Sequence, residues 1–348
     1  MKSLLLWLTP FLFLPVFAQK ADVKWGSAIN SETFVYDFLA ESDGKFFTLS
    51  GRKDDLYLER YSSTNFTQDY SKELEVPELN GKKQDLEMIC FLKDRFLLFT
   101  SLYDKKANLF TVSAYNVSRE GMIAAKPKEI LTLPAQSRNE GGEVEFVVAG
   151  DSTNILVVHR AYLKKEKKQR ITLRVIDGDL KTLSTAIEEF AVSEGKDTYV
   201  LSNYIVNVDG EIFFLQTKIT PAKKKIPAKY AHSIVRFGKD GKRLKNFPIT
   251  SEGNAVDRVI FSFDVNNNLV VSGSYVKKTG KGLMTYPGLE GIFFMNIDKN
   301  SGLVKSKSFH DIEQEILESY YSPKQRAKAT KLLPNDFLPK QIIRKEWK

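Results

Sequence analysis

Cysteine is almost absent from this sequence: Cys90 is the only one in 348 residues. A single cysteine excludes an intramolecular disulfide, so the fold must be stabilised by burial of apolar surface. Histidine is scarce as well, and His159, His232 and His310 stand far apart in the chain. Because a zinc site needs several convergent His, Cys or carboxylate ligands, we expect no metal and no cofactor.

Catalytic motifs are missing too. The sequence contains no nucleophile elbow, phosphate-binding loop, paired histidines on a helix or glycine-rich dinucleotide turn. Acidic pairs occur at Glu143 and Glu145 and at Glu188 and Glu189, and such pairs can do glycosidase work. Acidic pairs are also common on solvated strands, so the sequence assigns no catalytic residue.

Long apolar runs are confined to the amino terminus. Lys2 precedes an apolar stretch from Leu4 to Val16, and Val16-Phe17-Ala18 places small residues where a signal peptidase cuts. This pattern predicts a signal peptide over residues 1–18. The run is too short to cross about 30 Å of hydrocarbon as a helix. We therefore expect an exported bacterial protein, periplasmic, cell-surface or secreted, that does not span the membrane.

The sequence is rich in a repeated strand pattern. Five times an apolar strand is followed by a turn of Asp, Asn or Gly, a second strand, a lysine-bearing loop and two further strands. The first turns fall at residues 43, 94, 151, 209 and 266, so the steps (94−43 and so on) are 51, 57, 58 and 57. Asp, Asn and Gly tolerate the positive φ of tight hairpin turns. Four strands per unit of about 50 residues are typical of a β-propeller blade.

We therefore predict an all-β fold, a β-propeller of four-stranded blades over residues 19–310. Five blades are recognisable, and Phe337 to Lys345 resembles the first strand of a sixth, incomplete one. Our hypothesis is that the chain is a shortened version of a six- or seven-bladed protein. Residues 311–348 are predicted to form a short helical tail plus that strand. A tandem β-sandwich or an elongated β-repeat array is the alternative fold.

Basic residues accompany the repeat, in a chain of net charge +9. The loop between the second and third strands carries lysine in every unit, and in a propeller these loops emerge on one face. Such a basic ring could bind an anionic glycan, a lipid head group or an envelope protein. Exposed lysines also keep hairpin loops soluble and deter edge pairing, and this alternative stays open.

The loops have few aromatic residues for base stacking, so we expect no nucleic acid partner. The candidate ligand-binding residues are Lys53, Lys105, Lys106, Lys164, Lys165, Lys168, Lys223, Lys224, Lys225, Lys277 and Lys278.

Three segments of the repeat, each a strand or a strand with its turn, resemble segments of a known group of proteins. Asp43-Gly44-Lys45-Phe46-Phe47, Asp209-Gly210-Glu211-Ile212-Phe213 and Gly291-Ile292-Phe293-Phe294-Met295 resemble exported β-propeller-like proteins of Bacteroidota, many without assigned function. The resemblance implies a periplasmic or surface location and a binding or scaffolding role, and it transfers no functional residue. We expect an exported non-catalytic binding or scaffold protein that acts through its lysine-rich loops. The alternative is a carbohydrate-active hydrolase or lyase with carboxylates near the propeller axis.

Overall fold

The computed structural model describes residues 34–53, 55–192, 197–222, 228–276 and 291–313. Within these ranges the chain forms twenty strands and one short helix. The strands make five four-stranded antiparallel sheets, each with its strands in chain order or its reverse. These sheets are the blades of a β-propeller, as the repeat predicted. The predicted signal peptide, the sixth-blade strand and the tail beyond residue 313 lie outside the described residues.

The strands follow the five repeats. Blade 1 contains β1 (Phe34–Ser42), β2 (Lys45–Arg52), β3 (Asp55–Ser62) and β4 (Gln68–Glu73). Blade 2 contains β5 (Asp85–Leu92), β6 (Arg95–Asp104), β7 (Leu109–Val117) and β8 (Lys128–Pro134). Helix α1 (Arg138–Gly141) leads into blade 3, which contains β9 (Glu143–Val148), β10 (Asn154–Leu163), β11 (Lys168–Asp177) and β12 (Thr182–Ala191).

The last two blades repeat the arrangement. Blade 4 contains β13 (Thr198–Val206), β14 (Ile212–Thr220), β15 (Lys229–Phe237) and β16 (Arg243–Ile249). Blade 5 contains β17 (Ala255–Phe263), β18 (Leu269–Val276), β19 (Gly291–Ile297) and β20 (Val304–Asp311). The chain divides into two compact units between Lys72 and Glu73. Blade 1 belongs to the first unit and blades 2 to 5 belong to the second.

The hairpin turns confirm the turn chemistry read from the sequence. Ser42 pairs with Lys45 and Leu92 with Arg95, so each hairpin has a two-residue loop. Asp43 and Gly44 have φ of 54° and 67°, the left-handed conformation that a type I′ turn requires. These turns fix the register of the first two strands in their blades.

The core of the second unit lies between successive blades. On β10, Ile155 and Val157 pack against blade 2, whereas Leu156 and Val158 pack against blade 4. Side chains alternate across a strand, so a continuous apolar run buries both faces of blade 3. Each such side chain stabilises the fold by about 1.5–3 kcal/mol. The inner strands β5, β9, β13 and β17 contact their neighbours in turn.

The outermost strands differ most from the sequence-based expectation. The repeat pattern predicts the fourth strand of blade 1 at Leu74-Glu75-Val76, but β4 spans Gln68–Glu73 and is almost wholly exposed. An edge strand packs against little, so its hydrophobicity does not mark its position.

No helix in the described ranges has the length and apolar character needed to cross a membrane.

Candidate active site

A cavity of about 440 Å³ lies between blades 2 and 3 of the second unit. Its size falls in the range of ligand-binding pockets, roughly 300–1,000 Å³. Two blades contribute its polar lining: Asp85, Glu87 and Ser101 from blade 2, and Glu143 and Arg160 from blade 3, with Arg138 on the connection between them. The cavity lies where inner strands β5 and β9 begin, at the end of the blades from which the lysine-bearing loops emerge.

Glu87 faces this cavity because β5 is irregular at that position. The pairing of β5 with β6 shifts between Leu86 and Met88, which leaves Glu87 as the extra residue of a β-bulge. Bulges redirect side chains and occur frequently beside active sites. The hydroxyl of Ser101 on β6 donates a hydrogen bond to Glu87 Oε1 at 2.5 Å.

The surroundings of Glu87 favour its protonated form. Partial burial raises the pKa of the Glu87 carboxyl, the charge of Asp85 raises it further, and the Ser101 hydrogen bond opposes both. The Glu87 side chain is exposed where it borders the cavity. A carboxyl that retains its proton to higher pH can act as a general acid.

The opposite wall is the connection from blade 2 to blade 3. Ser137 caps α1, its Oγ accepting a hydrogen bond from the Glu140 amide at 3.2 Å. Gly142 follows with φ of 74°, and a Cβ at this position would lie 2.1 Å from the Arg160 carbonyl oxygen. Glycine is therefore required there, and the turn it makes places Glu143 at the cavity edge.

Arg160 holds the carboxylates of blade 3 together. Its guanidinium lies 3.3 Å from Glu145 and 3.8 Å from Glu143, and its side chain is 28% exposed. On the other wall, Arg138 lies 3.4 Å from Asp85, and both side chains are exposed. Exposed ion pairs contribute little to stability. The Arg138–Asp85 pair therefore affects the charge of the cavity more than the stability of the fold.

His159 contacts the connection between blades 2 and 3. The imidazole is buried, its Nε2 lies 2.5 Å from the Gly141 carbonyl oxygen, and its ring packs 5.2 Å from that of Phe110. Burial lowers the pKa of His159, so the neutral ring donates from Nε2. His159 and His232 are both buried, and His232 Nδ1 lies 2.9 Å from the Thr217 hydroxyl.

Blade 5 repeats the construction around Glu87. The pairing of β17 with β18 shifts between Val256 and Arg258, leaving Asp257 at a bulge. Its carboxylate accepts a 3.4 Å hydrogen bond from the Ser274 hydroxyl, and burial raises the pKa of Asp257. The combination of inner-strand bulge, carboxyl and second-strand serine therefore occurs twice in the second unit.

Of the lysines predicted from the sequence, the six that the structure describes do not line the cavity. Lys53, Lys105, Lys106, Lys164 and Lys165 are exposed, and Lys168 is bound to Glu189 at 2.9 Å. Lys223, Lys224, Lys225, Lys277 and Lys278 lie outside the described residues. Among the residues that are described, no group of three or more His, Cys, Asp or Glu could hold a metal ion.

Sequence reasoning singled out Glu143 and Glu145 but missed Asp85 and Glu87. A usable pattern was present: Asp85-Leu86-Glu87 and Glu143-Val144-Glu145 both alternate acid and apolar residues at the start of an inner strand. The same pattern at the same place in consecutive repeats marks two neighbouring strand starts, and those starts border one cavity.

Comparisons with known proteins give likeness of fold. No protein-family model matches the chain, and neither does any curated protein sequence. An endo-arabinase from Bacteroides thetaiotaomicron aligns at 12% identity over 81% of this chain and 93% of its own, with a TM-score of 0.33. The polysaccharide lyase Uly1 aligns at 8% over 84% and 76%, with a TM-score of 0.42. Oligopeptidase B from Leishmania major aligns at 11% over 81% and 34%, with a TM-score of 0.46.

One prediction from the sequence is corrected by the cavity. The sequence favoured a non-catalytic binding or scaffold protein acting through lysine-rich loops, but the cavity is lined by carboxyl groups and arginines, and none of the described loop lysines borders it.

Proposed function

We propose that this protein is a carbohydrate-active enzyme that cleaves glycosidic bonds in the cavity between blades 2 and 3. The observation that carries the proposal is Glu87, a carboxyl of raised pKa that a β-bulge turns into a pocket opposite a second carboxylate, Glu143. Glycoside hydrolysis needs one carboxyl that is protonated and one that is ionised, flanking the scissile bond. The fold comparisons set the architecture and assign no reaction.

Each carboxyl has a role that follows from its surroundings. Glu87 donates its proton to the glycosidic oxygen as the bond from that oxygen to the anomeric carbon breaks. Glu143, beside the Arg160 guanidinium, accepts a proton from the water that attacks the anomeric carbon. The products are a new reducing end and a free hydroxyl. A lyase is the alternative, in which the bond breaks by elimination and leaves an unsaturated sugar.

The test is cleavage of a polysaccharide panel by the full chain, followed as release of reducing ends. Glu87→Gln keeps the shape of the side chain and removes the proton donor, so we expect a loss of about 10²–10⁴-fold. Glu252→Gln is the matched control, because Glu252 lies on the connection between blades 4 and 5 and pairs with Lys307 on the surface. Equal activity of the two variants would contradict the proposal, as would inactivity of the wild type on every polymer.

We propose in addition that the protein is exported. The support is the sequence over residues 1–18, with its apolar run and Val16-Phe17-Ala18, and the resemblance to exported proteins of Bacteroidota. Expression in a bacterial host, followed by fractionation and intact-mass measurement, tests this. A periplasmic product that begins at Gln19 supports export, whereas a cytoplasmic product that retains residues 1–18 contradicts it.

A further inference from the structure

Both cations in the cavity wall are paired with carboxylates. Of its two guanidinium groups, Arg138 lies 3.4 Å from Asp85, and Arg160 lies 3.8 Å from Glu143. Arg160 also contacts Glu145, at 3.3 Å. Each cation that lines the cavity therefore already has a carboxylate partner. Glu87 adds a third carboxyl group to the lining, and the lining residues that the structure describes include no further cation.

We infer that the substrate is a neutral glycan, a polymer without uronate or sulfate groups. The inference rests on the proposed function, since it names the sugars on which that enzyme would act. An anionic sugar in the cavity would face the carboxyl groups of Asp85, Glu87 and Glu143, while both arginines that could offset its charge already have carboxylate partners. A like charge placed against a partner's charge is costly and excludes the wrong ligand.

Paired charges are suited to neutral hydroxyl groups. A carboxylate accepts a hydrogen bond from a sugar hydroxyl, and a guanidinium donates one to its oxygen, with no net charge required of the ligand. The aromatic ring of Tyr103, half-buried in the wall, adds apolar surface that can pack against the C–H face of a sugar ring. Asp85, Glu143 and the two arginines thus provide recognition without electrostatic attraction.

The same arrangement distinguishes hydrolysis from elimination. Elimination removes the proton beside a uronate carboxylate, and it requires a cation to neutralise that carboxylate while charge develops. Among the residues that line the cavity, Arg138 and Arg160 are the cations, and both are paired. Hydrolysis of a neutral glycan needs no such free cation.

The experiment compares polymers of the two charge classes with the full chain. Arabinan, galactan and mannan serve as neutral probes, and polygalacturonate and chondroitin sulfate as anionic ones. Reducing ends report either reaction, and ultraviolet absorbance of unsaturated sugars reports elimination. We expect a neutral polymer to be cleaved about 100-fold faster than either anionic one, with a KM that does not change between roughly 0.05 and 0.5 M salt.

Two other results would overturn the inference in different ways. Faster cleavage of an anionic polymer, with a KM that rises steeply with salt, would leave the proposed enzyme intact and refute the neutral substrate. Absence of cleavage on every polymer would refute both. Replacing Lys105 and Lys106 by Gln is the control for loop charge, and it should leave the KM for the neutral polymer unchanged. A large rise in that KM would mean that the lysines contribute to recognition.

Discussion

The Ser101 hydroxyl donates a 2.5 Å hydrogen bond to the Glu87 carboxylate, across the two strands that meet at the bulge in β5. This bond stabilises the charged form of Glu87, whereas burial and the neighbouring Asp85 stabilise the protonated form. The balance between them sets the pH at which Glu87 loses its proton. The blade 5 counterpart, Ser274 with Asp257, has a longer bond of 3.4 Å.

Removing the hydroxyl should shift the pH dependence of the enzyme. Ser101→Ala deletes a bond that lowers the pKa of Glu87, so that pKa rises further above its ordinary value. Because a general acid works only while protonated, the alkaline limb of kcat/KM should move to higher pH. Ser274→Ala is the matched control on blade 5, and its profile should coincide with that of the wild type. An unchanged limb in Ser101→Ala would show that Glu87 is not the group that titrates.

Gly142 shapes the connection from blade 2 to blade 3, which forms the cavity wall opposite Glu87. Gly142→Ala would place a Cβ 2.1 Å from the Arg160 carbonyl oxygen, and Glu143 would have to move with the backbone. We expect kcat/KM to fall at least tenfold and the free energy of unfolding to drop by about 1–3 kcal/mol. Gly81→Ala is matched in conformation, with φ of 69°, but a Cβ there has nothing within 4 Å. It should show backbone strain alone, with activity retained.

A buried ion pair locks blade 4 to blade 5. Lys299 Nζ lies 2.9 Å from Glu211, whose carboxylate also binds Arg236. Burial would raise the pKa of Glu211, but the hydrogen bonds from Arg236, Lys299 and Asn207 outweigh it and the pKa is lowered.

Lys299→Met should therefore destabilise the protein by about 3–5 kcal/mol, since it leaves a buried charge without one of its partners. Lys242→Met is the control, because Lys242 is 81% exposed in its pair with Asp240. Urea unfolding measures both variants. A loss below about 1 kcal/mol in Lys299→Met would mean that Arg236 alone compensates the carboxylate.

Stability should fall on mild acidification because of the buried histidines. Burial lowers the pKa of both His159 and His232 below the ordinary value of 6.5. A base with a lowered pKa in the folded state contributes stability that is present above pH 6.5 and is lost as pH falls towards the folded pKa. The free energy of unfolding of the wild type should thus decrease between pH 7 and about pH 5. His159→Gln should flatten this slope, and an unchanged slope would assign the loss to other groups.

The fold could be predicted from the repeat, because the turns and strands of each blade have recognisable local sequence patterns. Asp43-Gly44 and Lys93-Asp94 mark two-residue turns, and apolar runs such as Ile155 to Val158 mark strands buried on both faces. The outer strand β4 was misplaced because its residues pack against little.

The site was less predictable for a physical reason. Glu143 could be singled out from the sequence because it forms an acidic pair with Glu145. The role of Glu87 depends on a one-residue shift in the pairing of β5 with β6. Register of this kind is set by how the two strands and their neighbours pack, and no local residue type specifies it. The partnership of Arg160 with Glu145 and Glu143 likewise depends on the register of β9 against β10.

The most direct test of the account compares Glu87→Gln on two neutral substrates that differ only in their leaving group. A sugar hydroxyl needs a proton in order to leave, whereas nitrophenol leaves readily without one. If Glu87 is the proton donor, the variant should lose about 10²–10⁴-fold in kcat on the oligosaccharide and stay within a few-fold of the wild type on the nitrophenyl glycoside. Equal losses on both substrates, or no loss on either, would contradict the role of Glu87 as the proton donor.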